Sequence, residues 1–118
     1  MHLKTCLFVI FLMHFVPPGV VAAAGPMVQP GTTEQVSEQV YVIPDGRVGL
    51  VPNVGIIIGS EAVLVVDTGM GPSNAERVLA EVRKLTQLPI RYLAITHFHP
   101  EHGMGAQSFP ASLRSSHP

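Results

Sequence analysis

Apolar residues in this chain fall into short continuous runs separated by turn-forming residues. The runs Val40–Ile43, Val51–Ile58 and Ala62–Val66 each predict a β-strand. Only Gly59-Ser60-Glu61 separates the second run from the third, which predicts a hairpin. Because both of its runs are continuously apolar, we expect this hairpin to be buried on both faces.

After Asp67 the apolar positions change to helical spacing. Ser73 and Glu76 form a capping box that predicts a helix over 73–86. The apolar face is expected to comprise Ala75, Val78, Leu79, Val82 and Leu85, and the polar face Glu76, Arg77, Glu81, Arg83 and Lys84. Ile90–Ile95 predicts a further strand. This strand–helix–strand unit favours two parallel strands, whose carboxyl ends meet at one edge of the sheet, where ligand sites of α/β sheets lie.

Asp67 and a cluster of histidines follow the two strands that end at this edge. Thr96-His97-Phe98-His99-Pro100-Glu101-His102-Gly103 places three histidines and a carboxylate in six consecutive positions. Imidazole and carboxylate are ligands that zinc prefers, and catalytic zinc typically has three protein ligands and one water, whose pKa falls to about 7. The alternative is a polar loop in which the histidines only form hydrogen bonds. Clustering favours the metal site.

The amino terminus has the layout of a secretory signal peptide. A short basic start precedes the apolar stretch 6–16, Pro17-Pro18-Gly19 interrupts it, and Ala22-Ala23-Ala24 provides small residues for cleavage. We therefore expect residues 1–24 to be removed and the product to be exported, periplasmic or secreted, without a stable membrane span. Because the apolar stretch is shorter than the roughly 20 residues of a membrane span, a retained anchor is the alternative.

Composition excludes some classes of site and partner. Cys6, the only cysteine, lies in the presumed signal, so the mature chain is expected to lack disulfides, cysteine nucleophiles and thiolate metal sites. The formal net charge is −1, and the basic residues do not form a patch with aromatic residues. Nucleic-acid binding is therefore not indicated, and the expected partner is a small-molecule substrate of unknown class.

The histidine segment resembles the HxHxDH signature of the metallo-β-lactamase superfamily. Asn53–Gly59 and Val65-Val66-Asp67-Thr68-Gly69 are also similar to strands and the Asp-Thr-Gly turn of that family. This resemblance extends over residues 40–106. It implies an α/β fold, the N-terminal half of an αββα sandwich with a β-hairpin, a strand–helix–strand unit and a metal-binding loop. It also implies a hydrolase that uses metal-activated water.

The resemblance further implies roles for individual residues. His97 and His99 would bind a first zinc ion and His102 a second, with one or two ions in total; iron or manganese suits the same ligands. Glu101 stands where the family usually has aspartate, and would be a metal ligand and the catalytic group that handles the proton of the attacking water. Asp67 would orient a ligand histidine. An aspartate that only caps its loop is the alternative.

The sequence also predicts where the folded domain begins and ends. Residues 25–38 are expected to be a flexible lead-in, 39–108 a truncated metallo-β-lactamase-like domain and 109–118 an unstructured tail, with His117 solvated. The family's remaining ligands lie in its second half, so the sequence predicts an N-terminal fragment of an exported zinc-dependent hydrolase. The alternatives are an inactive metal-binding remnant and a module that pairs with a separate second half.

Overall fold

A computed structural model describes residues 25–113 as a mixed β-sheet with a helix packed on one face. The strands are β1 (Glu34–Ser37), β2 (Val40–Ile43), β3 (Val54–Ile58), β4 (Val63–Val66) and β5 (Ile90–Ala94), and the helices are α1 (Gly71–Leu85) and α2 (Pro100–Gly103). Two short 3-10 helices follow, at Ala106–Ser108 and Ala111–Leu113. The predicted signal segment and His117 lie outside the described residues.

The sheet has its strands in chain order, β1-β2-β3-β4-β5. Neighbouring strands from β1 to β4 are antiparallel, whereas β5 is parallel to β4, as the strand–helix–strand unit predicts. Val66 and Ala94 are paired near the carboxyl ends of β4 and β5. The residues that follow these two strands therefore emerge side by side at one edge of the sheet.

The hydrophobic core lies between α1 and one face of the sheet. Its fully buried members include Ile43, Val54, Ile56, Val63, Val65, Ala75, Val78 and Val82. Alternate residues of β4 are buried and half-buried, and β3 follows a similar pattern. The expectation of a hairpin buried on both faces was therefore wrong, because α1 covers only one face. Residues of the second face, such as Val42, Ile57, Leu64 and Val66, are half-buried, and Tyr92 is 62% exposed.

Helix α1 begins two residues before the predicted capping box. Pro72 lies in its first turn, where its fixed φ and missing N–H suit a helix start, and Met70 precedes it without a side-chain cap. Ser73 lies inside the helix, so the predicted capping role was wrong. The predicted apolar face was correct. Glu81 of the expected polar face is instead 2% exposed.

The segment expected to be a flexible lead-in is instead bound along α1. Val28 is in the core, and its amide N–H donates to the buried Oδ1 atom of Asn74 over 2.6 Å. Glu81 accepts hydrogen bonds from the amide of Gly31 and the hydroxyl of Thr33. Residues 34–37 then form the edge strand β1. Residues 28–37 therefore belong to the folded unit, although the hydrophobic pattern of the sequence does not predict it.

The start of the predicted tail also belongs to the folded unit. The side chain of Phe109 is 2% exposed and packs in the core, and the last described residues form a 3-10 helix. Full burial of a phenylalanine contributes about 1.5–3 kcal/mol. Residues 109–113 are thus structured rather than part of an unstructured tail.

Candidate functional site

The candidate site lies at the carboxyl ends of β4 and β5. Asp67 directly follows β4, and its amide N–H donates to the carbonyl of Ala94 in β5 over 2.8 Å. The histidine-bearing segment leaves β5 at Ile95 and turns into α2, whose first residue is Pro100. Parallel pairing therefore brings one carboxylate and the histidine cluster to the same edge, as the sequence predicts.

The carboxylate of Asp67 forms hydrogen bonds with the backbone and side chains of the histidine loop. Asp67 is 2% exposed and has a φ of 67°, a left-handed backbone conformation that aspartate tolerates better than most residues. Its Oδ1 atom accepts a hydrogen bond from the amide of Thr96 over 2.8 Å. Its Oδ2 atom lies 2.8 Å from the hydroxyl of Thr96 and 2.7 Å from Nδ1 of His102. The same carboxylate thus braces the loop backbone and contacts a histidine.

The three clustered histidines lie together above Asp67. The ring centroids of His97 and His102 are 3.9 Å apart, and those of His97 and His99 are 4.6 Å apart. His97 and His99 are exposed, whereas the side chain of His102 is 18% exposed. Between the first two, Phe98 projects outward with 91% of its surface exposed.

Glu101 lies beside two of these rings. Its Oε1 atom is 3.8 Å from Nδ1 of His99 and 4.0 Å from Nε2 of His102, and its side chain is 15% exposed. A carboxylate at this range can ligate an ion held by the histidines or accept a proton from a bound water.

The rings pack against one another at angles of 63° and 48°. Within residues 25–113, no group of three or more histidine, cysteine, aspartate or glutamate side chains is arranged to hold a metal ion. The structure therefore gathers the predicted ligands His97, His99, Glu101 and His102 without the convergence expected of a metal site. The chemistry of the donors still fits zinc, because three imidazoles and a carboxylate are its usual ligands. Bonding of Nδ1 of His102 to Asp67 also leaves Nε2 of that ring for an ion.

Thr68 and Gly105, both buried, fix α2 against the sheet. The amide of Thr68 donates to the carbonyl of His102 over 2.9 Å, and its hydroxyl lies 3.0 Å from the same oxygen. The amide of Gly105 donates to Gly69 over 3.0 Å. A Cβ atom at Gly105 would lie 2.9 Å from Thr68 and Ala75, so this close approach requires glycine. The Asp-Thr-Gly turn was recognisable in the sequence, but its contact with α2 was not.

The histidine loop lies apart from two clefts of the described surface. These clefts, of about 590 and 430 Å³, meet at Ile90, at the amino end of β5, and both are also lined by Pro110. No histidine lines either of them. The candidate site therefore lies outside these two clefts, at the carboxyl edge of the sheet. None of the helices in this range combines the length and apolar character needed to cross a bilayer.

Comparison with known proteins agrees with this geometry. The family model of the metallo-beta-lactamase superfamily matches residues 47–114, more than half of the chain. The chain belongs to the metallo-beta-lactamase superfamily. Its matched region contains the hairpin, the strand–helix–strand unit, Asp67 and the histidine loop, and the mixed α/β architecture agrees with part of that fold.

Among curated proteins, the chain is similar to a linear primary-alkylsulfatase of Pseudomonas sp. (strain ATCC 19151). The two are 41% identical over 54 residues, which cover 46% of this chain and 10% of the sulfatase. The chain thus spans only a small part of the length of this relative. Family membership and a hydrolase among the relatives support a fold of the metallo-hydrolase kind.

Proposed function

We propose that this chain carries part of the active site of an exported, zinc-dependent hydrolase. The observation that carries the proposal is the loop after β5, in which three imidazole rings and the Glu101 carboxylate lie together above a buried aspartate. Such a set of donors at the carboxyl edge of parallel strands suits a metal centre better than a purely structural loop.

The residues of the loop divide into two groups in this proposal. His97 and His99 would hold a first zinc ion, and Glu101 and His102 would hold a second, while Asp67 orients the His102 ring. Bound zinc supplies a Lewis acid and lowers the pKa of a water ligand to about 7. With an ion bound, Glu101 would be placed to accept a proton from water at this site. Iron or manganese is compatible with the same donors.

The substrate is proposed to be a small molecule with an ester, amide, thioester or similar bond. The alkylsulfatase relative makes a linear alkyl sulfate the first compound to test, since its hydrolysis by water yields an alcohol and hydrogen sulfate. Nucleic acid is not proposed as a partner, because the chain has a net charge of −1 and scattered basic residues.

A second candidate is a metal-binding remnant or half-domain without activity of its own. Two observations favour it. The potential ligands in residues 25–113 are not arranged to hold an ion, and the matched region corresponds to a tenth of the sulfatase. In this case the site requires further ligands that residues 25–113 do not provide.

Zinc binding by the full chain separates these candidates. We expect stoichiometric zinc by metal analysis and calorimetric titration, and hydrolysis of an alkyl sulfate or another ester if the chain is a self-sufficient enzyme. Zinc binding without hydrolysis would support the half-domain. His97→Ala together with His99→Ala should abolish binding, whereas the matched control His117→Ala should not. Unchanged affinity in the double variant would refute the proposed site.

Export has its own test. We propose that cleavage after Ala24 releases a product whose first residue is Gly25. Amino-terminal sequencing of the chain recovered from outside the cytoplasm would identify that residue. A product that retained Met1 and remained with the membrane would instead support the anchor.

A further inference from the structure

The hydroxyl of Thr96 lies among three side chains of the site. Its Oγ1 atom is 2.8 Å from Oδ2 of Asp67, 3.1 Å from Nδ1 of His97 and 3.2 Å from Nδ1 of His102. The backbone amide of Thr96 also donates to Asp67, so the backbone and the side chain of Thr96 both bond to the same carboxylate. The position of the hydroxyl is therefore well defined relative to both rings.

The number of protons available determines the direction of each hydrogen bond. A threonine hydroxyl has one proton to donate, and an ionised carboxylate can only accept. The Thr96 proton is therefore directed to Asp67, and the hydroxyl oxygen can only accept from an imidazole. Nδ1 of His102 lies 2.7 Å from the same carboxylate, so it too must donate. Nδ1 of His97, whose hydrogen-bonding neighbour is the Thr96 oxygen, must likewise carry a proton.

We propose that Thr96 is a positioning residue that holds His97 in the tautomer protonated at Nδ1. Asp67 imposes the same tautomer on His102 directly. Both rings then have an unprotonated Nε2, the atom that a metal ion requires of a neutral imidazole. The tautomer assignment follows from the hydrogen bonds alone, and its importance for metal binding rests on the function proposed above.

If the Thr96 hydroxyl selects the tautomer of His97, its loss should affect His97 but not His102. Thr96→Val has nearly the same shape but cannot accept from His97, so that ring loses the bond that selects its tautomer. His102 keeps its bond to Asp67. Thr96→Ser retains the hydroxyl and should behave like the wild type. Thr86→Val is a matched control, because the Thr86 hydroxyl also accepts a backbone hydrogen bond, from Leu88, but lies at the end of α1 away from the site.

Nitrogen-15 NMR of the histidine rings tests the proposal in the metal-free, full-length chain. Spectra are recorded at a pH where the ring nitrogen signals no longer change with further increase in pH, so that the tautomers of the neutral rings can be distinguished. We expect both His97 and His102 of the wild type to be protonated at Nδ1. In Thr96→Val, only the His97 signals should move toward the other tautomer. A wild-type His97 protonated at Nε2 would overturn the proposal, whether or not the variants fold.

Zinc affinity provides a second readout. Loss of a hydrogen bond that orients a ligand histidine typically weakens metal affinity about 10–100-fold, and we expect this range for Thr96→Val. Thr96→Ser and Thr86→Val should bind as the wild type does. Equal losses in the valine and serine variants of Thr96 would contradict a role for the hydroxyl. A wild-type chain that bound no zinc would refute the proposed function, while the tautomers would still decide the role of Thr96.

Discussion

The Oδ2 atom of Asp67 and the Nδ1 atom of His102 lie 2.7 Å apart, although 35 positions separate the two residues in the sequence. The pairing connects the end of β4 to α2 and depends on the parallel register of β4 and β5. It makes a single buried carboxylate responsible both for the shape of the loop and for the orientation of one histidine.

Replacement of this carboxylate should affect stability and metal binding together. In Asp67→Ala, the amide and hydroxyl of Thr96 and the ring N–H of His102 lose their acceptor, which should lower the free energy of unfolding by about 1–3 kcal/mol. We expect zinc affinity to fall about 10–100-fold as His102 loses its orientation. Urea unfolding and calorimetric titration measure the two effects.

Asp67→Asn separates these effects, because asparagine tolerates the same backbone conformation and keeps one acceptor oxygen. It should preserve more of the stability than alanine does. The matched control is Asp45→Asn, since Asp45 accepts an amide hydrogen bond in an exposed turn remote from the histidines. An Asp67→Ala variant as stable as Asp45→Asn would show that the carboxylate does not brace the loop.

Gly105 should not tolerate a side chain. A Cβ atom there would lie 2.9 Å from the Cβ of Ala75 and from both the carbonyl and hydroxyl oxygens of Thr68. Overpacking of this kind costs about 1–3 kcal/mol, so Gly105→Ala should lower the thermal midpoint and loosen α2. Gly49→Ala is the control, because no atom lies within 4 Å of a Cβ at that position. Equal midpoints for the two variants would contradict the close approach.

Glu81 should make the stability of the domain depend on pH. Burial raises the pKa of its carboxyl. Hydrogen bonds from Lys84, Thr33 and the amide of Gly31 lower that pKa by more than burial raises it, so the net pKa lies below the ordinary value of 4.5. The folded chain therefore binds this proton more weakly than the unfolded chain. The stabilisation is fully present above pH 4.5 and is lost as the pH falls through the lower, folded-state pKa.

Unfolding measured at several pH values checks this dependence. Glu81→Gln should flatten the acid limb of the stability profile, whereas Glu76→Gln, at an exposed position of the same helix, should leave it unchanged. If the profiles of the wild type and Glu81→Gln ran parallel below pH 4.5, the hydrogen bonds to the lead-in would not stabilise the ionised carboxylate.

Glu101 should influence metal stoichiometry rather than folding. Its Oε1 atom lies near both His99 and His102, and its side chain is 15% exposed. Glu101→Gln removes the charge while it keeps the shape. We expect it to weaken binding of a second zinc ion more than the first, as measured by metal titration. Glu61→Gln, at an exposed position after β3, is the control. Identical two-site binding curves for the wild type and Glu101→Gln would exclude Glu101 as a ligand.

The sequence was most informative where apolar spacing and local motifs agree. The hairpin, α1, β5 and the histidine loop all have such local signals, and their order along the chain predicts the parallel pairing that brings Asp67 to the histidines. The edge strand β1, with the sequence Glu-Gln-Val-Ser, has no apolar pattern and is exposed throughout. It was therefore interpreted as part of a lead-in.

Two further differences from the sequence-based expectations concern polar residues whose partners are remote in sequence. Asn74 bonds to Val28 and Glu81 to Gly31, across 46 and 50 positions respectively. A polar residue at such a helix position predicts an exposed face unless its partner is known. The role of Thr96 could not be predicted from the sequence for a related reason. Its hydroxyl contacts Asp67 only because β4 and β5 are paired.

The hydrogen bonds that link the side chains of Asn74 and Glu81 with the segment before β1 also define where this folding unit starts. If the chain began at residue 34, the polar atoms of these two buried side chains would face an emptied groove on α1. Water would enter the groove, and Val28 would no longer seal that end of the core. The side-chain amide of Asn74 also donates to the carbonyl of Pro26 over 3.0 Å, so we expect the minimal domain to begin near Pro26, set by two polar residues of a helix rather than by its first strand.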